Sequence, residues 1–167
     1  MLTAEQLIAL LDLAPLPIEG GFFRRTYTAA ERLPAAALPA RYAGERDLCG
    51  AIYYLLGPND FSALHRLQTD ELYHFYLGDP VELLLLHPGG GHALHVLGHD
   101  LVAGQQVQLL APHGAWQGSR VRPGGRVALL GTTMAPAYDG RDFELGRRDE
   151  LIAQYPERAA LIEALTR

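Results

Sequence analysis

Between residues 50 and 133 the chain is built from short apolar runs interrupted at regular intervals by glycine and proline, and this rhythm limits its fold more than any other feature. The runs fall at 51–56, 61–67, 71–77, 81–87, 93–97, 106–110, 116–121 and 126–133. Between them lie Gly57-Pro58-Asn59-Asp60, Gly78-Asp79-Pro80, Pro88 to Gly91, Pro112-His113-Gly114 and Pro123-Gly124-Gly125. Strands of this length with such turns predict an antiparallel sandwich or barrel. The run Val81-Glu82-Leu83-Leu84-Leu85-Leu86 is apolar on both faces and calls for cover on both sides, from a flanking helix or a second copy of the chain. A homodimer is therefore expected.

The flanks have a helical period. Thr3 is placed to cap a helix over about 3–13, with Leu7, Leu10 and Leu11 on one face and Pro15 and Pro17 beyond its end. Glu19-Gly20-Gly21 reads as a glycine turn feeding a strand from Phe22 to Tyr27. Residues 29–47, rich in Ala, Pro and Arg, show neither period and are expected to drape over the surface as a loop. Short amphipathic helices are predicted over 147–154 and 156–165. With 167 residues and no repeat, one domain is expected, divided into an N-terminal helix (1–18), a β-barrel (19–145) and C-terminal helices (146–167).

Composition narrows the chemistry. None of the 14 basic residues is lysine, which excludes Schiff-base chemistry, a P-loop lysine and a lysine general base. The lone Cys49 excludes an intrachain disulfide and a cysteine-rich metal site. The net charge of −5 and the scattered arginines argue against nucleic-acid binding. No run approaches the roughly 18 apolar residues of a membrane span, and the first residues lack a signal-peptide pattern, so a cytoplasmic protein without a membrane partner is expected.

Acid–base work then falls to His, Asp, Glu and Tyr. His65 and Glu71 lie on successive strands and can meet across a hairpin. A carboxylate beside an imidazole fixes its tautomer and stabilises its charged form, the minimum equipment for proton transfer. Strand alternation places Tyr73 and Phe75 on the face of Glu71, with Leu72, His74 and Tyr76 on the other, and turns Arg66 away from His65. His74 can therefore join them as a ligand only where a bulge flips the register, and one His with one carboxylate falls short of a four-coordinate site. Gln117 can reach the same interior, and Trp116 is either a stacking platform or plain core.

These residues resemble the cupin superfamily. His65 to Gly78 is similar to a first cupin motif, H-x-H-x3-E-x6-G, and Pro112 to Gln117 to a second, P-x-G-x2-H. The match is closer to the uncharacterised cupin family 5, through Glu19–Tyr27, 51–56, His65–Gly78, Pro112–Gln117 and Asp142–Leu145. The resemblance implies a double-stranded β-helix, the cupin jelly-roll barrel, and assembly as a homodimer. In metal-dependent cupins it would imply three histidines and one glutamate. Here His65 and Glu71 match, while Leu67 and Gln117 stand at the other two ligand positions.

The expected function is a metal-independent isomerase or epimerase acting on a sugar-like or hydroxy-acid small molecule. His65, Glu71 and Tyr73 would be catalytic, and Arg24, Tyr53, Arg66, Phe75, Trp116 and Gln117 would bind substrate. No cofactor is expected. The alternatives are a non-catalytic small-ligand binder and a metal-dependent oxygenase, in which His65, Glu71 and Gln117 would hold a divalent ion.

Overall fold

The computed structural model describes residues 2–167. Helix α1 (Ala4–Leu11) starts at a reciprocal cap: the Thr3 hydroxyl accepts from the Gln6 amide while the Gln6 side chain accepts from the Thr3 amide. Thirteen strands follow. They are β1 (Ala14–Pro15), β2 (Phe22–Thr28), β3 (Arg32–Leu33), β4 (Arg46–Asp47), β5 (Gly50–Leu56), β6 (Phe61–Arg66) and β7 (Glu71–Gly78). The rest are β8 (Val81–Leu86), β9 (His92–Leu97), β10 (Gln108–Ala111), β11 (Trp116–Val121), β12 (Ala128–Met134) and β13 (Glu144–Leu145). Helices α2 (Arg148–Gln154) and α3 (Ala159–Ala164) close the chain. No helix among the described residues is long and apolar enough to cross a membrane.

Strand β3 pairs with β4 apart from the rest, and the other eleven strands form two antiparallel sheets, ordered β1-β2-β5-β12-β7-β10 and β13-β6-β11-β8-β9. Their facing surfaces make the jelly-roll interior, where Tyr54, Leu56, Tyr73 and Phe75 of the first sheet pack against Val81, Leu83, Leu85 and Val121 of the second. Helix α1 covers one end of the first sheet, on Leu55, Val127 and Leu129. The back of the second sheet is sealed by the C-terminal helices, with Leu64, Leu84 and Leu86 beneath Leu151, Tyr155, Ile162 and Leu165. The doubly apolar strand β8 is thus covered on both faces by its own chain, so its composition gives no reason to expect a second copy.

The segment 29–47 departs from the expected surface loop. Strands β3 and β4 pair within it, and Arg46 is carried into the interior, 1% exposed. There its guanidinium makes a two-pronged bond to Asp142 (2.8 and 2.6 Å), and Nη1 donates to the carbonyls of Ala43, Gly44 and Glu45. The Ala137 amide also donates to the Asp47 carbonyl, so the segment is stapled to residues 137–142. One buried charge pair has turned a featureless stretch into part of the barrel rim.

Candidate functional site

His65 and Glu71 are close in sequence but do not form a hairpin pair, because β6 belongs to one sheet and β7 to the other. The chain crosses between the sheets at 67–70, and the two side chains approach across the interior. On β7 the alternation holds: Glu71, Tyr73 and Phe75 are buried, and Leu72, His74 and Tyr76 are not. On β6, His65 points inward with 1% exposure, while Arg66 lies outside in a two-pronged bond to Glu144.

Gln117 joins the two. It sits opposite His65 in the β11–β6 register, and its Nε2 lies 3.0 Å from His65 Nε2 and 2.6 Å from Glu71 Oε2. His65 Nδ1 is 2.8 Å from the Ala63 carbonyl, which can only accept, so Nδ1 carries the proton of the neutral ring. The lone pair is left on Nε2, beside the Gln117 amide. Phe143 stacks on the imidazole at 5.0 Å and holds its plane. Tyr73 donates to Glu71 Oε2 at 3.4 Å, and Tyr54 donates to the Gly20 carbonyl at 3.0 Å.

These groups border a cavity of about 190 Å³. His65, Glu71, Tyr54, Tyr73 and Thr132 form its buried part, and Ile18, Arg25, Thr28 and Tyr138 its exposed rim. Burial foremost, then the Glu19 charge, raises the Glu71 carboxyl above its ordinary range, while the His65 charge and bonds from Thr132 and Gln117 pull the other way. Burial likewise drives the phenols of Tyr54 and Tyr73 well up, so both stay protonated donors.

A raised carboxyl in the folded state means that the native protein holds this proton more tightly than the unfolded chain. Its contribution to stability is therefore complete below the unfolded value and is lost as pH rises through the folded one. The Glu71→Gln protein should accordingly lose less stability than the wild type between about pH 4 and neutrality. Urea unfolding at several pH values measures this, and parallel pH curves for the two proteins would contradict it.

The description "Cupin superfamily (DUF985)" belongs to a family model that matches residues 5–146. The chain belongs to the cupin superfamily. Among solved structures, this cupin resembles a Shewanella oneidensis protein at 34% identity, over 100% of this chain and 99% of that one, with a TM-score of 0.86. It resembles a hypothetical protein from Leishmania major at 28% identity, over 99% of both chains, with a TM-score of 0.88. A dTDP sugar isomerase from Desulfovibrio desulfuricans shares the fold at 15% identity, over 76% of this chain and 85% of that one, with a TM-score of 0.53. No curated protein matches the chain.

No three His, Cys, Asp or Glu side chains converge among the described residues. Leu67, at one ligand position of the metal-dependent pattern, is an apolar wall of the cavity and has no atom that can coordinate.

Of the residues expected from sequence, His65, Glu71 and Tyr73 border the cavity, and Gln117 ties two of them together. Phe75 points inward but packs in the core beyond it. Arg24 and Tyr53 lie on the outer face of the first sheet, in a cation–π contact with each other. Arg66 covers Trp116 on the outside of the second sheet, where Trp116 packs with the helices. Asp70, on the crossing at 67–70, holds His113 through its ring and its amide, at 2.8 Å each.

The cavity uses the neighbours of two of these residues, Arg25 rather than Arg24 and Tyr54 rather than Tyr53. Glu19 was missed altogether, although it borders the cavity and its Oε1 accepts from Ser62 at 2.8 Å. The signal lay in the glycine turn. Gly20 and Gly21 both adopt positive φ, and so does the β-branched Ile18, a strained backbone that presents Glu19 to the interior.

Proposed function

We propose that this cupin is a metal-independent isomerase or epimerase acting on a small sugar-like or hydroxy-acid molecule. The observation that carries the reading is the Nε2 lone pair of His65, held in one tautomer beside buried, protonated phenols at an enclosed cavity. In this reading the substrate displaces the Gln117 amide from His65 Nε2, which then takes the proton from a carbon next to a carbonyl, and the Glu71 carboxylate stabilises the imidazolium. The Tyr73 phenol supplies a proton to the resulting enolate, and solvent restores both groups. Arginine at the rim meets the polar end of the substrate, a role that falls to Arg25 by position.

The cavity walls also include Leu16, Phe23, Ile52 and Met134, which favours a second reading as a small-ligand binder without turnover. Incubation with a panel of aldoses, keto sugars and 2-hydroxy acids in deuterated water separates the two. The enzyme reading expects loss of a substrate C–H signal by proton NMR, slowed by about 10²–10⁴ in His65→Ala. Ligand-induced thermal shifts with no exchange on any compound would leave only the binder.

A further inference from the structure

We infer that the cavity is built for a ligand bearing a primary ammonium group, seated between the carboxylates of Glu19 and Glu71. The inference rests on the reading of this cavity as the ligand site but not on catalysis, and of the proposed substrate classes it keeps the sugar-like one and sets hydroxy acids aside.

It follows from which hydrogen-bonding groups are already spent. Around the buried end every donor has a protein partner. Tyr54 donates to the Gly20 carbonyl, Tyr73 to Glu71, and His65 Nδ1 to the Ala63 carbonyl. Both amide hydrogens of Gln117 go to His65 and Glu71. What remains is acceptor capacity. Glu19, which lines the cavity, engages one carboxylate oxygen with Ser62 and keeps the other for a ligand. A ligand must therefore bring donors to this end of the cavity.

Charge points the same way. Glu19, Asp47 and Glu71 all border the cavity, and only Asp47 is ion-paired, with Arg32. Glu19 and Glu71 sense each other, since the Glu19 charge helps to raise the Glu71 carboxyl. The one arginine among the lining residues, Arg25, is at the exposed rim, and the Arg167 guanidinium is occupied by the backbone carbonyls of Ile18 and Glu19. A carboxylate or phosphate would meet two like charges in a poorly solvated space. An ammonium would meet opposite charges, and the rings of Tyr54, Tyr73 and Phe143 add faces that attract a cation.

Serinol, glycerol and glycerate test this, because they share a three-carbon hydroxylated frame and differ in charge. Isothermal titration of the full chain should show serinol binding about ten-fold or more tighter than glycerol, with glycerate weakest. Glu19→Gln should bring serinol to within about two-fold of glycerol. Glu71→Gln provides a second variant should Glu19→Gln fail to fold. Equal binding of serinol and glycerol, tighter binding of glycerate, or no binding of any of the three would overturn the inference. Serinol preference without proton exchange on any substrate would sink the isomerase reading alone. Exchange on neutral sugars without serinol preference would sink this inference alone.

Discussion

Replacing Asp142 with alanine is expected to destabilise the protein by about 3–5 kcal/mol, because it strands a buried guanidinium. Arg46 is 1% exposed and spends Nε and Nη2 on Asp142, while its Nη1 holds three backbone carbonyls in a row. Without the carboxylate, a full positive charge remains where water cannot reach it. The loss of the partner matters more than the worth of the pair itself, so a double replacement by apolar residues, Arg46→Met with Asp142→Leu, should recover much of the stability. Urea unfolding of the two variants decides the point. Equal destabilisation by the single and double replacements would show that the stranded charge is not what costs the stability. The single variant should also weaken ligand binding, because Asp47 beside Arg46 and Phe143 beside Asp142 both border the cavity.

Gly20→Ala should cost about 3 kcal/mol or more and disturb the cavity at the same time. Gly20 has φ +108°, and an added Cβ would lie 2.4 Å from the Phe61 carbonyl oxygen, a backbone atom that cannot swing aside. The turn must therefore move, and it carries both Glu19 and the carbonyl that accepts from Tyr54. Gly124→Ala is the matched control. Its φ is +88°, yet nothing lies within 4 Å of the added carbon, so only the conformational cost of about 1 kcal/mol should appear. Thermal unfolding compares the two. A Gly20→Ala protein no less stable than Gly124→Ala would show that the turn has room to relax.

The sequence was most legible where a local rule had one solution. The turns after β5, β7 and β11 are set by Gly and Pro, and strand β11 begins and ends where the pattern predicts. On β7, alternation places Glu71, Tyr73 and Phe75 on one face and Leu72, His74 and Tyr76 on the other, as strand geometry requires. Strand β5 shows where the same rule fails. Tyr54 and Leu56 face the barrel interior, but Leu55 and Tyr53 face the core beneath α1. With both faces apolar, a period of two says that neighbours point apart without saying which one points in. Choosing Tyr53 over Tyr54 follows from that ambiguity. Strand β2 adds a register shift between Arg25 and Tyr27, beyond the reach of any alternation count.

By itself, then, the sequence determined an antiparallel sandwich or barrel, the capped first helix, the absence of lysine chemistry and the candidacy of His65 with Glu71. Each of these rests on residue type and local spacing. Tertiary structure alone decided that β6 and β7 part into opposite sheets, that Gln117 bridges His65 to Glu71, and that Arg46 reaches Asp142 across 96 positions. It also decided that Glu19 and Tyr54 reach the cavity while Arg24, Tyr53, Arg66 and Trp116 do not. The physical reason is the same in each case: which side of a strand is inside depends on what packs against it, and that partner lies far away in the chain.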